Sequence, residues 1–234
     1  MRKTDGMAQA HDITTILFDF HATLAYTHDR DAWIQAAHEH AGQSVNTGTD
    51  RAESNYQRLR DGLSGVWRLA RDRDPSGSWD LSASAHRTAF TTVMTKDVGC
   101  AQWLASALYD VMGDQSDLYD DVIEVLTPLH QAGKRLGIVS NIGFDIRPRL
   151  DTLGVLPLLD SVVLSFEVGL TKPDPAIFTK ALQDVGGSAS RALMVGDSWD
   201  QDGGAAAVGM SVLILPINDQ PSKGLRTVLD ICHI

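Results

Sequence analysis

Five short runs of aliphatic and β-branched residues recur along the chain, each stopping at polar residues: 13–20, 136–140, 161–165, 192–195 and 211–215. A continuous apolar run without alternation is what a strand buried on both faces writes into a sequence. Helical patterns fill the spaces between four of them. Leu118, Val122, Val125, Leu126 and Leu129 share one face of a helix that Gly133 can close. Residues 146–153, 175–185 and 201–208 supply three more helices, with Gly154, Gly186 and Gly209 just past their ends. Strands alternating with helices of this length predict an α/β fold, a Rossmann-like doubly wound parallel sheet covered on both faces.

The first and second runs are separated by more than a hundred residues with no strand-like pattern. Helical stripes occupy that stretch instead. Trp33, Ala36, Ala37 and His40 form one, Tyr56, Leu59, Leu63, Val66, Trp67 and Ala70 a second, and Trp103, Leu104, Ala107, Leu108 and Val111 a third. Asp74-Pro75-Ser76-Gly77 breaks the second from the third. Residues 26–117 therefore read as a helical cap domain inserted into a core domain of residues 1–25 and 118–234, with the aromatic stripes as the cap's own core.

A net charge of −10 repels a phosphate backbone, so nucleic acid is not the expected partner. The most basic stretch, with Arg51, Arg58, Arg60, Arg68, Arg71 and Arg73, is nearly cancelled by Asp50, Glu53, Asp61, Asp72 and Asp74. His38-Glu39-His40 has i, i+2 spacing, which does not share a helix face, and reads as a solvated surface. Cys100 and Cys232 fit neither a metal-ligand spacing nor a disulfide framework, which suits a reducing compartment. Met1–Ala10 has no apolar leader segment, and runs such as 211–217 are far too short for a membrane span. The expectation is a cytoplasmic protein with no membrane partner.

Ligands of open α/β sheets bind beyond the carboxyl ends of the strands. There the sequence places Asp19, His21 and Thr23 after the first run, Ser140 and Asn141 after the second, Glu167 and Lys172 after the third, and Gly196, Asp197, Ser198 and Asp202 after the fourth. Carboxylates crowded together raise one another's pKa unless a cation neutralises them. Oxygen donors without a His or Cys cluster favour Mg2+. The set suits a carboxylate nucleophile attacking a phosphoryl group, with Lys and hydrogen-bond donors on its oxygens. Asp200 reads as a solvated residue between the two aspartates, and Glu167 as an exposed loop acid.

In that order the motifs resemble the haloacid dehalogenase (HAD) superfamily, in the subgroup with a helical cap after the first strand (C1-type). Phe18-Asp19-Phe20-His21-Ala22-Thr23-Leu24 is similar to its first motif, Val139-Ser140-Asn141 to its second, and Gly169-Leu170-Thr171-Lys172-Pro173-Asp174-Pro175-Ala176-Ile177-Phe178 to its third. Gly196-Asp197-Ser198-Trp199-Asp200-Gln201-Asp202, running into Gly204–Met210, is similar to its fourth. The resemblance covers roughly 13–25 and 118–215; the cap matches in kind alone. It implies Asp19 as nucleophile and metal ligand, the His21 carbonyl and Asp197 as further ligands, and Asp202 holding the metal's water shell or pairing with Lys172. Ser140 and Lys172 would bind the phosphoryl group, with backbone N–H groups near Ala22 and Asn141.

Phosphatases of the family usually carry Asp two residues after the nucleophile, where it protonates the leaving oxygen and later activates water. Here that position is His21, whose ordinary pKa suits general acid–base work. The usual Gly next to it is Ala22, which predicts a turn without positive φ. The leading expectation is a Mg2+-dependent phosphatase acting on a small phosphorylated metabolite, the cap closing over it. Two alternatives stay open. One is carbon–halogen hydrolysis, as in the 2-haloacid dehalogenases, which also lack that Asp but need no metal and do not keep the fourth motif. The other is a catalytically reduced binding or regulatory protein, supported by His21 and Ala22.

Overall fold

The computed structural model describes residues 12–27, 29–44, 50–216 and 221–234, without the side chains of 50–52. Met1–Ala10, Ile217 and the side chains of Asp50 and Arg51 therefore lie outside what is described. The first strand, β1 (Thr15–Phe18), is followed by a two-residue strand, β2 (Ala25–Tyr26). Four helices come next: α1 (Arg30–His40), α2 (Asp50–Arg73), α3 (Ala83–Lys96) and α4 (Gln102–Asp110), with a 3-10 turn, Ser78–Leu81, between α2 and α3. Then β3 (Asp117–Leu118), α5 (Val122–Gln131), β4 (Arg135–Ser140), α6 (Arg147–Thr152), β5 (Ser161–Leu164) and α7 (Ser165–Val168) lead into α8 (Pro175–Val185). The chain ends with β6 (Ala192–Gly196), α9 (Trp199–Asp202), β7 (Ser211–Ile214) and α10 (Arg226–Cys232).

The five long runs form one parallel sheet in the order β5-β4-β1-β6-β7. Alternation along β1 fills both faces. Ile16 and Phe18 pack with Val125, Leu126 and Leu129 of α5, while Leu17 packs with Ile177, Phe178 and Ala181 of α8. The chain moves outward from β1 through β4 to β5, then returns to β6 on the other side. The carboxyl ends of β4, β1 and β6 thus stand side by side at a topological switch point. Gly133, Gly154, Gly186 and Gly209 all adopt positive φ where the preceding helical segments end.

Some expectations change. Leu118 belongs to β3, which pairs antiparallel with β2 (Ala25 opposite Leu118) where the chain leaves and re-enters the sheet unit. Residues 201–208 are not one α-helix: α9 ends at Asp202 and a 3-10 turn, Gly203–Val208, continues. On α1 the buried positions are Trp33, Ile34 and Ala37, and His40 faces solvent. Trp103 is also exposed, edge-on to His38. The inserted helices bury their own core, built from Ile34, Leu59, Phe90, Met94 and Leu108 among others. They touch the sheet unit through the Ser165 hydroxyl, which accepts from Ile142 N–H (2.9 Å) and donates to the Asp80 carbonyl (2.7 Å). Among the described residues, no helix is long and apolar enough to cross a membrane.

Candidate active site

Asp19 leaves the sheet directly after β1, its N–H donating to the Val195 carbonyl of β6 (2.9 Å). The chain then folds back tightly. The Phe20 carbonyl accepts from Leu24 and Ala25 (2.9 Å each), and Ala22 N–H donates to the Ala25 carbonyl (2.7 Å). Closing this loop puts Ala22 at φ 59°, so the expectation of a turn without positive φ is wrong. The reversal fixes that dihedral whatever the side chain, and alanine there bears the steric cost that glycine avoids.

Lys172 is 4% exposed, and its ammonium is shared between Asp19 (2.6 Å) and Asp202 (2.7 Å). Asn141 fixes the lysine's backbone: its side-chain amide donates to the Lys172 carbonyl (3.0 Å) and accepts from the Lys172 N–H (2.8 Å). The second oxygen of Asp202 accepts from the N–H groups of Asp197 (3.1 Å) and Ser198 (3.0 Å). Both oxygens of this fully buried carboxylate are therefore engaged, and it pairs with Lys172 while shaping the loop after β6. Gly196 permits this, since a Cβ there would collide with the Asp202 carboxylate. Gly204 plays the same part against the Pro173 backbone.

Asp19, Asp197 and Asp202 each present an oxygen within 4.8 Å of the others. Burial, reinforced by Asp202 and Asp197 and opposed by Lys172, raises the Asp19 carboxyl to about 7. Burial and Asp202 likewise raise Asp197. Burial by itself would lower Lys172, but contact with Asp19 and Asp202 outweighs it and raises the ammonium. Burial and Lys172 push the His21 imidazole down to about 4, so it is neutral near pH 7 in this state. Ser140, 1% exposed, closes β4 beside Asn141. The structure thus brings Asp19, His21, Ala22, Ser140, Asn141, Lys172, Asp197 and Asp202 to one sheet edge. Asp200 is exposed, as read from the sequence. Glu167 is exposed too, but it lies on α7 rather than in a loop and forks onto Arg147 (2.7 Å to each nitrogen).

A cavity of about 680 Å³ lies between this edge and the inserted helices, with His21, Ala22 and Asn141 on its lower wall. Sequence reasoning missed its upper wall. Trp33 and Trp67, expected to serve as the cap's core, also line the cavity, as do Trp79, Arg30, Arg71, Asp80 and His86. It also missed Lys223, which is 2% exposed and donates to the Pro216 carbonyl (2.9 Å). Leu215, the residue before Pro216, bonds across the sheet to Gly196, so this ammonium sits beside the Asp197 loop. No motif marks these residues, because helix packing and the chain's return after β7 bring them there.

A family model for haloacid dehalogenase-like hydrolases matches residues 13–209. The glyceraldehyde 3-phosphate phosphatase of Methanothermobacter thermautotrophicus is 37% identical over 100 residues, 42% of this chain and 44% of that protein. The chain thus spans less than half of that relative. A HAD phosphatase from Thermococcus onnurineus superposes with a TM-score of 0.61 at 25% identity, over 94% of this chain and 97% of the other. A 2-haloacid dehalogenase from Pseudomonas syringae superposes with a TM-score of 0.58 at 22% identity, over 94% and 98%, a likeness of fold alone.

Proposed function

The chain belongs to the haloacid dehalogenase-like hydrolases, and within that family we propose that it is a Mg2+-dependent phosphatase acting on small phosphorylated metabolites in the cytoplasm. The observation that carries this reading is the buried Asp19–Lys172–Asp202 contact with Asp197 alongside. Three carboxylates cluster around one ammonium that contacts two of them, and burial, with Asp202 and Asp197, raises the Asp19 pKa, a cost that a divalent cation would relieve. The donors are all hard oxygens, which fits Mg2+. Asp19, Asp197 and the His21 carbonyl would hold the ion. Asp202, with both oxygens engaged, would position Lys172 and the loop. When bound, Mg2+ supplies charge neutralisation to the phosphoryl oxygens.

Lys172, the Ser140 hydroxyl and the N–H groups of Ala22 and Asn141 would hold the phosphoryl group against Asp19. The Asp19 carboxylate attacks phosphorus, the ester P–O bond breaks, and the leaving oxygen takes a proton from His21. His21 then removes a proton from water, which attacks the aspartyl phosphate, releases phosphate and restores Asp19. A dianionic phosphoryl group beside His21 favours the imidazolium and offsets the burial that keeps it neutral without substrate. A carbon–halogen hydrolase would also use a carboxylate nucleophile but, with no metal to hold, would not need Asp197 as a further carboxylate beside Asp19.

The test is phosphate release from a panel of phosphomonoesters, with Mg2+ and with chelator, for wild type and Asp19→Asn. Turnover that requires Mg2+ and disappears in the variant is expected. No release from any ester, activated acyl phosphates included, would overturn the reading in favour of binding without turnover.

A further inference from the structure

The cavity above Asp19 is larger than a two- or three-carbon phosphate needs. At about 680 Å³ it lies within the range of sites for drug-sized ligands, roughly 300–1,000 Å³. Its upper wall is aromatic. The Trp67 ring lies 4.2 Å from that of His86 at 36°, and Phe144, from the segment after β4, approaches His86 at 5.8 Å. The ring wall therefore spans both units. Trp33 and Trp79 extend it, and the Arg71 guanidinium sits 6.0 Å from the Trp79 ring.

The charges around it are biased as well. Arg30 and Arg71 face one acid, Asp80, whose carboxyl burial raises to about 6. Burial, with His21 nearby, lowers His86 to about 3, so it presents a neutral ring. A ring in the cavity would meet flat apolar surfaces, with the Arg71 guanidinium beside Trp79.

We propose that the cavity takes the body of a phosphomonoester bearing an aromatic or heteroaromatic ring, its phosphoryl end at Asp19 and its ring against the Trp67–His86 wall. This rests on the phosphatase reading above and adds the substrate class to it.

The full chain is assayed with propyl phosphate and 2-phenylethyl phosphate, whose leaving alcohols are similar in acidity, so that a difference reports the ring. The ring ester is expected to have the higher kcat/KM, by about tenfold or more and chiefly through KM. Trp67→Leu should collapse that ratio. Ser64→Trp, from an exposed cavity-lining position on α2 and so independent of core packing, should reduce it by filling the space. In parallel, Asp19→Asn protein is titrated with 2-phenylethylphosphonate and propylphosphonate by calorimetry, which needs no turnover. Equal kcat/KM for the two esters, or a ratio untouched by both variants, overturns the inference and leaves the phosphatase reading standing. If neither ester is hydrolysed, the phosphonates decide: tighter binding of the ring compound upholds the ring site, and equal binding overturns it.

Discussion

Replacing Lys172 by methionine keeps the side chain's length and removes the ammonium that Asp19 and Asp202 share at 2.6 and 2.7 Å. At an effective dielectric constant near 20, each contact is worth roughly 6 kcal/mol of Coulomb attraction, most of it offset in the native protein by desolvation of the ions. Removing one partner leaves the carboxylates buried and uncompensated, which costs about 3–5 kcal/mol. For a chain of this size that corresponds to a fall in Tm of roughly 6–20 °C. The loss depends on pH in a definite direction. The folded pKa of Asp19 is raised to about 7, so its favourable contribution is complete below the unfolded value and is lost as pH rises through about 7. Without the ammonium that pKa rises further. Between the two folded values the variant holds one more proton than wild type, and its deficit grows by about 1.4 kcal/mol per pH unit. Calorimetric scans at pH 6, 7 and 8, with and without Mg2+, measure this. The variant should fall further behind wild type at pH 8 than at pH 6, and Mg2+ should restore more of its Tm than it adds to wild type. A gap that narrows with rising pH, or a variant within 2 °C (about 1 kcal/mol or less) of wild type at pH 8, would refute the reasoning.

Ala22→Gly relieves the left-handed conformation at φ 59°, a gain of about 1–2 kcal/mol partly cancelled by about 0.4–1 kcal/mol of unfolded-state entropy. Urea titration should show stability unchanged or raised by up to about 1.6 kcal/mol, and a clear loss would mean the turn bears no strain. His21→Ala should lower kcat on alkyl phosphates by about 10²–10⁴-fold and on 4-nitrophenyl phosphate far less; equal losses on both would remove His21 from proton transfer. Protons and Mg2+ compete for Asp19, so the metal's affinity by calorimetry should weaken about tenfold per unit below about pH 7, and a flat profile from pH 5 to 7 would contradict the raised pKa. The Asp121 carboxylate, 3% exposed, accepts from the Ser222 hydroxyl (2.8 Å) and the N–H groups of Lys223 (3.0 Å), Gly224 (2.8 Å) and Leu225 (2.8 Å). Burial opposes ionisation there, but the donors outweigh it and hold the pKa low. Asp121→Ala should cost about 3 kcal/mol at pH 7, with wild type losing part of its advantage as pH falls below the ordinary carboxylate range; a neutral effect at pH 7 would show that α10 docks without it.

The sheet is legible in the sequence because parallel strands buried on both faces allow few polar positions, and those at strand ends such as Thr15 and Ser140. Ile16, Leu17 and Phe18 point alternately into two cores, and the run records both. The run overshoots, from 13 to 20, because Ile13 and Phe20 are buried apolar residues on either side of the ladder to β4 and β6, which spans Thr15–Phe18. β2 and β3 are invisible for the opposite reason, since a two-residue pair has no periodicity to display. On α1 a four-residue stripe cannot distinguish Ile34 from His40 on neighbouring faces, and the packing of α4 decides in favour of Ile34.

The candidate site divides along the same physical line. Asp19, Ser140, Asn141 and Asp197 stand at or just beyond strand ends, Lys172 follows β5 by way of α7, and Asp202 lies five residues past Asp197; backbone geometry brings them together, and spacing along the chain reports it. Lys223, Asp80 and His86 reach the same region through tertiary packing, and the residues around them need only be amphipathic or turn-forming. Even Ala22 misleads: its small side chain suggests an unstrained turn, while the bond from its N–H to the Ala25 carbonyl and the anchors on Phe20 impose the positive φ. Groups that carry the chemistry hang from the sheet and must recur at fixed offsets, whereas groups that would choose the substrate hang from helices whose pattern is satisfied by any apolar face. A ring preference set by Trp67 and His86 would therefore be written where the sequence is least readable, in residues that also pack with the core of the inserted helices.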